Sequence, residues 1–306
     1  MNLFVIGNGF DIGHKLETRY MEFRKFLEEN YLDFLIRFED AYGLHPENQY
    51  EYAEKILWKE FENNLSEINE DEIVGSGASL ELGLEGGDTY IEDTLDLHWE
   101  EIYGFVKELS NYLRLWIETI DVSVPRKTTK INKTSNDLFL SFNYTLLLEE
   151  VYEIEKNRIL HIHGSLGTED YDSLIIGHGN SEKISESRER ARKASENFFE
   201  KESSIYNAVA NYYERTLKNV SECCLFNNFF FKDLNNIEKV LIVGHSLGDV
   251  DIPYFKLIKH NVKSNTIWCI YYYDDKEKYE FQTKLQSIGI KSHNIQTIKS
   301  KYFFNC

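Results

Sequence analysis

Five clusters of polar residues carry the side chains best suited to chemistry, and each follows an apolar run. They are Asn8 with Asp11; Asn143, Tyr144 and Thr145; His163, Gly164 and Ser165; Gly177, His178, Gly179 and Asn180; and Gly244, His245, Ser246, Asp249 and Asp251. Ser, Asn and Asp at such places also cap helices and close turns for structural reasons alone. Their recurrence after apolar runs points to a shared site, because open α/β sheets bind ligands where their strands end.

His163 stands where a strand opens onto that edge, the position of a general base. His161 lies two residues before it, so both rings are expected on one face of the strand. That is metal-ligand spacing, but no third ligand follows by pattern, and no metal is expected. Asn143 can hold a sugar hydroxyl or an attacking water without carrying charge. Asp249 and Asp251 either cap the following helix, which has Pro253 near its first turn, or contact a ligand. At the start of the chain, Gly7 and Gly9 let the backbone turn tightly after Leu3–Ile6. Strand, glycine turn and helix bring amides and a positive helix end up to a phosphate. A dinucleotide fingerprint would need a third glycine at position 12, which is Ile, and a second strand ending in an acid, which is missing. An ordinary dehydrogenase is therefore disfavoured.

A competing motif is Gly244-His245-Ser246-Leu247-Gly248, which matches G-x-S-x-G after a buried strand. With Asp274 and His293 it supplies Ser, Asp and His in the order of an α/β-hydrolase. Little chain follows Ser246 to complete that fold, and the clusters at Gly7, Asn143 and His163 are left without a role.

Continuous apolar runs predict strands at 3–6, 137–143, 158–163, 173–177, 239–245, 266–273 and 294–298. Between them lie stretches of helical periodicity, with a long helix expected over Trp99 to Ile120 and an acidic, glycine-rich loop over Glu70 to Asp88. The expected fold is a single α/β domain over 1–306, Rossmann-like, with a mostly parallel sheet covered on both faces. Two large helical insertions interrupt it, a cap at about 31–135 and a lid at about 181–236. No internal repeat or low-complexity tract appears.

A net charge of −18 argues against a nucleic-acid backbone or an anionic membrane as the main partner. An acidic protein that takes an anionic ligand must do so with backbone amides and a few placed donors. Cysteines 223, 224, 269 and 306 show neither metal spacing nor a disulfide pattern. The first apolar run is too short for a signal peptide and no run reaches transmembrane length, so the cytoplasm is the expected compartment.

Taken together, Ile6-Gly7-Asn8-Gly9-Phe10-Asp11, Ser141-Phe142-Asn143-Tyr144-Thr145, His161-Ile162-His163-Gly164-Ser165 and Gly244-His245-Ser246-Leu247-Gly248-Asp249 resemble the AbiH family of bacterial phage abortive-infection proteins. The same motifs, in the same order, are similar to those of the wider sirtuin-like group. That likeness implies a sirtuin-like, NAD-binding type of fold. It puts cofactor-binding roles on Gly7, Gly9, Gly244 and Ser246, and the same turns add Asn8, Phe10, Tyr144, His245 and Asp249 as cofactor-binding candidates. It puts catalytic roles on Asn143 and His163; Asp11, near the first turn, is placed to stabilise positive charge on the ribose. The turn Asn8-Gly9-Phe10-Asp11 departs from the sirtuin Ala-Gly-Ile-Ser type, and no four-cysteine zinc module is present. The implied activity is therefore hydrolysis of NAD⁺, as substrate, to nicotinamide and ADP-ribose, rather than protein deacylation. Alternatives are the serine hydrolase above, a nucleotide sensor that binds without turnover, and a different nucleotide or nucleic acid as substrate. A toxic NAD⁺ hydrolase must be silent in a healthy cell, so control by homo-oligomerisation or a regulatory partner protein is expected.

Overall fold

The computed structural model describes residues 1–45, 50–79, 97–100, 103–167 and 174–304. Among the described residues six strands form one sheet: β1 (Asn2–Ile6), β2 (Leu138–Ser141), β3 (Ile159–His161), β4 (Lys239–Val243), β5 (Ile267–Tyr272) and β6 (Ile295–Lys299). Every pairing is parallel, and the order is β3-β2-β1-β4-β5-β6. The order reverses between β1 and β4, and it is there that such sheets leave a crevice at their carboxyl edge.

The apolar runs are continuous because both faces of the sheet are buried. Leu3, Val5, Leu140, Val240, Ile242, Trp268 and Ile270 enter one core with the helix Ile252–Asn261. Phe4, Ile6, Phe139, Val243, Cys269 and Tyr271 enter the other, with Phe10 and Phe303. Phe4 stacks on Phe139 across the β1–β2 pair, their ring centroids 5.1 Å apart.

The chain divides into two compact units. One holds the whole sheet and comprises 1–19, 113–175 and 219–306. The other comprises 20–112 and 176–218 and is helical, with Tyr20–Asn30, Leu32–Asp40, Glu70–Ser79, Ser181–Glu196 and Glu200–Arg215 as its longer helices. Residues 113–135 and 219–236 thus group with the sheet. Inside the helical unit Glu39 accepts from Arg24 at 2.7 and 3.0 Å and from the Trp58 indole at 2.7 Å, so its buried charge is paired and hydrogen-bonded.

Three sequence expectations need correction. The strand expected at 173–177 is absent over the described 174–177; Ile175 donates one hydrogen bond to the His163 carbonyl, and His178 makes a lone bridge to Leu217. Glu70–Ser79 is helix rather than loop, because Gly77 packs where a Cβ would meet Ile205 at 2.5 Å; residues 80–88 lie outside the described ones. The helix expected from Trp99 to Ile120 is interrupted: 97–100 and Tyr103 are α-helical, a 3-10 turn follows at Gly104–Glu108, where a glycine is a poor α-helix residue, and α-helix resumes at Leu109–Glu118; residues 101 and 102 lie outside the described ones.

Candidate functional site

The turns after β1 and β4 meet at the switch point. The Gly7 amide donates to the Val243 carbonyl at 3.0 Å, and the Gly9 amide to the Gly244 carbonyl at 2.8 Å. A Cβ on Gly7 would lie 2.7 Å from the Gly244 oxygen, and one on Gly9 would lie 2.7 Å from the Gly244 Cα. The three glycines therefore let two backbones touch. The Phe10 amide is spent on the Gly7 carbonyl at 2.8 Å. Asn8 is the exposed residue of this turn, and its side chain donates to the Thr18 carbonyl at 2.7 Å.

Beside the turn, Asp11 is 1% exposed and accepts at both oxygens, from Asn143 Nδ2 and from the Thr145 hydroxyl, each at 2.7 Å. Burial raises its pKa from 3.8 to about 6, against the lowering pull of the two hydrogen bonds and of His161. The other Asn143 proton goes to the Gly7 carbonyl at 3.2 Å. Both nitrogens of His161 face acceptors, the Asn143 carbonyl at 2.8 Å and the Glu149 carboxylate at 2.9 Å. The two contacts fix the orientation of the ring between β2 and the helix that carries Glu149. The first turn, β2 and β3 are thus tied at their carboxyl ends by charge-assisted bonds.

A second cluster adjoins the first through Gly7, whose Cβ would lie 2.7 Å from the His245 Cα. His163 is 2% exposed, and its Nε2 is 3.3 Å from the Tyr254 hydroxyl and 3.9 Å from Asp251 Oδ1. His245 Nδ1 accepts from the Leu247 amide at 2.9 Å, so its proton sits on Nε2, which faces Asp251 Oδ2 at 3.4 Å. Phe142 forms the apolar wall, its ring centroid 5.2 Å from His163 and 4.2 Å from His245. Burial pushes the Tyr254 hydroxyl pKa far up, so it remains a phenol. His161 and His163 do not share a face. The strand stops at His161, and the turn through Gly164, at φ +83°, sends His163 into the other cluster.

The remaining candidates take other places. Phe10 is fully buried in the core against His14, Tyr152 and Phe303. The Tyr144 hydroxyl donates to the Ile175 carbonyl at 2.8 Å. Ser246 is exposed, and Asp249, its side chain 90% exposed, pairs with Lys284 at 3.5 Å. His178 lies in the helical unit, where its ring bonds to the Tyr213 carbonyl and the Asn180 amide, both at 3.0 Å; burial lowers its pKa to about 4, leaving a neutral structural imidazole.

The Ser246–Asp274–His293 triad is overturned by topology. Ser246 and Asp274 follow β4 and β5, whereas His293 precedes β6 and so sits at the opposite edge of the parallel sheet. About five residues of strand, or roughly 16 Å, separate those edges. Asp274 is occupied as the cap of helix Asp275–Ser287, accepting from the Lys276 amide.

Among the described residues no group of three or more His, Cys, Asp or Glu is placed to hold a metal ion, and no helix is long and apolar enough to cross a membrane. A cavity of about 610 Å³ in the helical unit is lined by Trp99, Tyr103, Tyr212 and the bonded pair Glu100–Arg215, and holds none of the residues above.

Sequence reasoning missed Glu149, Phe142 as a wall, and Tyr254. Tyr254 had a signal: it lies three residues after Asp251 at the start of a helix, hence on the same face. Glu149 had none. The family model for bacteriophage abortive infection AbiH matches residues 3–272. No curated protein and no solved structure matches the chain.

Proposed function

The chain belongs to the AbiH family of bacteriophage abortive infection proteins, and we propose that it serves that defence by hydrolysing NAD⁺ at the nicotinamide–ribose bond. The observation that carries this reading is that the Asp11–Asn143 pair and the His163–His245–Asp251 cluster lie at the carboxyl ends of neighbouring strands, adjoining through Gly7 beside the switch point between β1 and β4.

In this reading the C1′–N bond breaks and its electron pair leaves with neutral nicotinamide. A water oxygen bonds to C1′ of the oxocarbenium-like ribose, and the water proton passes to His163 and on to solvent. Both Nδ2 protons of Asn143 are spent on Gly7 and Asp11, so its side-chain oxygen Oδ1 is the atom left to accept from a ribose hydroxyl or the water. Asp11 acts through Asn143 and adds negative charge behind the ribose. With the amides of Gly7, Gly9 and Phe10 committed, a pyrophosphate is met by the exposed Asn8 and Ser246.

A non-catalytic nucleotide sensor is favoured by one observation: Asp11, Asn143, His163 and His245 are all at most 7% exposed. One experiment separates the two. Purified protein is incubated with NAD⁺ beside His163→Ala, and nicotinamide and ADP-ribose are followed by chromatography. Release that disappears in the variant is expected. Binding without release favours the sensor, and failure even to bind NAD⁺ overturns the assignment of ligand.

A further inference from the structure

We propose that Asp251 is a positioning residue that joins His163 and His245 into one acid–base unit, an inference that rests on the hydrolytic reading of His163. Asp251 occupies the N-cap position of helix Ile252–Asn261, yet its side chain makes no capping hydrogen bond. A capping Asp stabilises a helix by about 1 kcal/mol. Here the carboxylate forgoes that and turns to two imidazoles, Oδ2 to His245 at 3.4 Å and Oδ1 to His163 at 3.9 Å.

The turn that precedes it is built to the same end. Leu247 is held at φ +54°, an uncommon conformation for a branched residue, and from there its amide donates to His245 Nδ1. That bond fixes the proton of His245 on Nε2, facing the carboxylate. His245 then orients Asp251, and Asp251 orients His163. When His163 takes the proton of the attacking water, the positive charge forms beside an anion already in place, in a pocket walled by Phe142 and Phe255. Asp251 stays ionised throughout, and no second proton moves.

Asp251→Ser tests this, because it removes the charge and, with no capping bond made by Asp251, sacrifices none. The expected result is a folded protein with an unchanged melting temperature. Its kcat for NAD⁺ falls about 100-fold, while KM moves less than about 3-fold. Long-range ¹⁵N–¹H spectra of the imidazoles should change at both His163 and His245. Retained kcat in the folded variant, or ring signals identical to wild type, overturns the proposal. If the wild-type protein does not cleave NAD⁺ but the ring signals still change in Asp251→Ser, the coupling stands and the hydrolytic reading falls instead.

Discussion

Gly244→Ala is expected to cost about 3–5 kcal/mol, enough to consume much of the stability of a typical domain. Gly244 sits at φ +68°, and a Cβ there would lie 2.2 Å from the Phe10 nitrogen and 2.5 Å from the Gly9 carbon. The obstacle is backbone on all sides, so no side chain can rotate away. Relief requires the β1 and β4 turns to part, which breaks the bond from the Gly9 amide to the Gly244 carbonyl. The measurement is urea unfolding of Gly244→Ala beside Gly248→Ala. At Gly248 the nearest atom is Ser246 Oγ at 3.8 Å, and the cost there should stay within about 0.5 kcal/mol. Equal midpoints for the two variants would refute this account of the switch point.

The same contact explains why the opening motif reads ambiguously. A glycine that admits a pyrophosphate and a glycine that admits a neighbouring turn look alike in sequence. Gly7 and Gly9 were legible as a tight turn, but Gly244, the residue they receive, lies on the other side of the helical insertions. The strands themselves were legible because burial on both faces leaves little room for polar residues, as in Leu3–Ile6 and Val240–Val243. Their order was not, since it depends on crossovers that no local pattern records. Gly77 misled for the opposite reason: it reads as a loop breaker and serves as helix packing against Ile205.

Within the candidate site, His163 was legible from its place at a strand end and Asn143 from the same logic. The direction of His163 was not, because alternation holds only while the strand lasts, and β3 ends two residues earlier. Asp251 carried equal marks of a cap and of a ligand contact; only the observed side chain decides between them. Glu149 meets His161 only once the turn after β2 has folded, so nothing in its neighbourhood announces it.

Asp11→Asn is expected to make the protein more stable above pH 6, by up to about 3 kcal/mol, and, on the proposed hydrolytic reading, to lower NAD⁺ turnover about 100-fold or more. The carboxyl has its pKa raised from 3.8 to about 6 by burial. Well below pH 3.8 both the folded and the unfolded chain hold the proton. As pH rises the unfolded chain releases it first, near 3.8, while the folded chain keeps it to about 6. The unfolded state thus gains relative to the folded one across that window, and the loss persists at neutral pH. Asparagine removes that slope without orphaning its neighbours: its oxygen accepts from Asn143 and its amide donates to the Thr145 hydroxyl. The wild-type chain therefore keeps a buried anion that a neutral isostere would improve on for stability alone, the pattern expected where charge is needed by a site. Denaturant midpoints of both proteins from pH 4 to 8, with turnover measured on the same samples, decide the matter. Parallel stability curves would show that Asp11 titrates near its ordinary value in the folded chain. A stabilised variant with full turnover would remove the negative charge at position 11 from the mechanism and reduce its role to holding Asn143 in place.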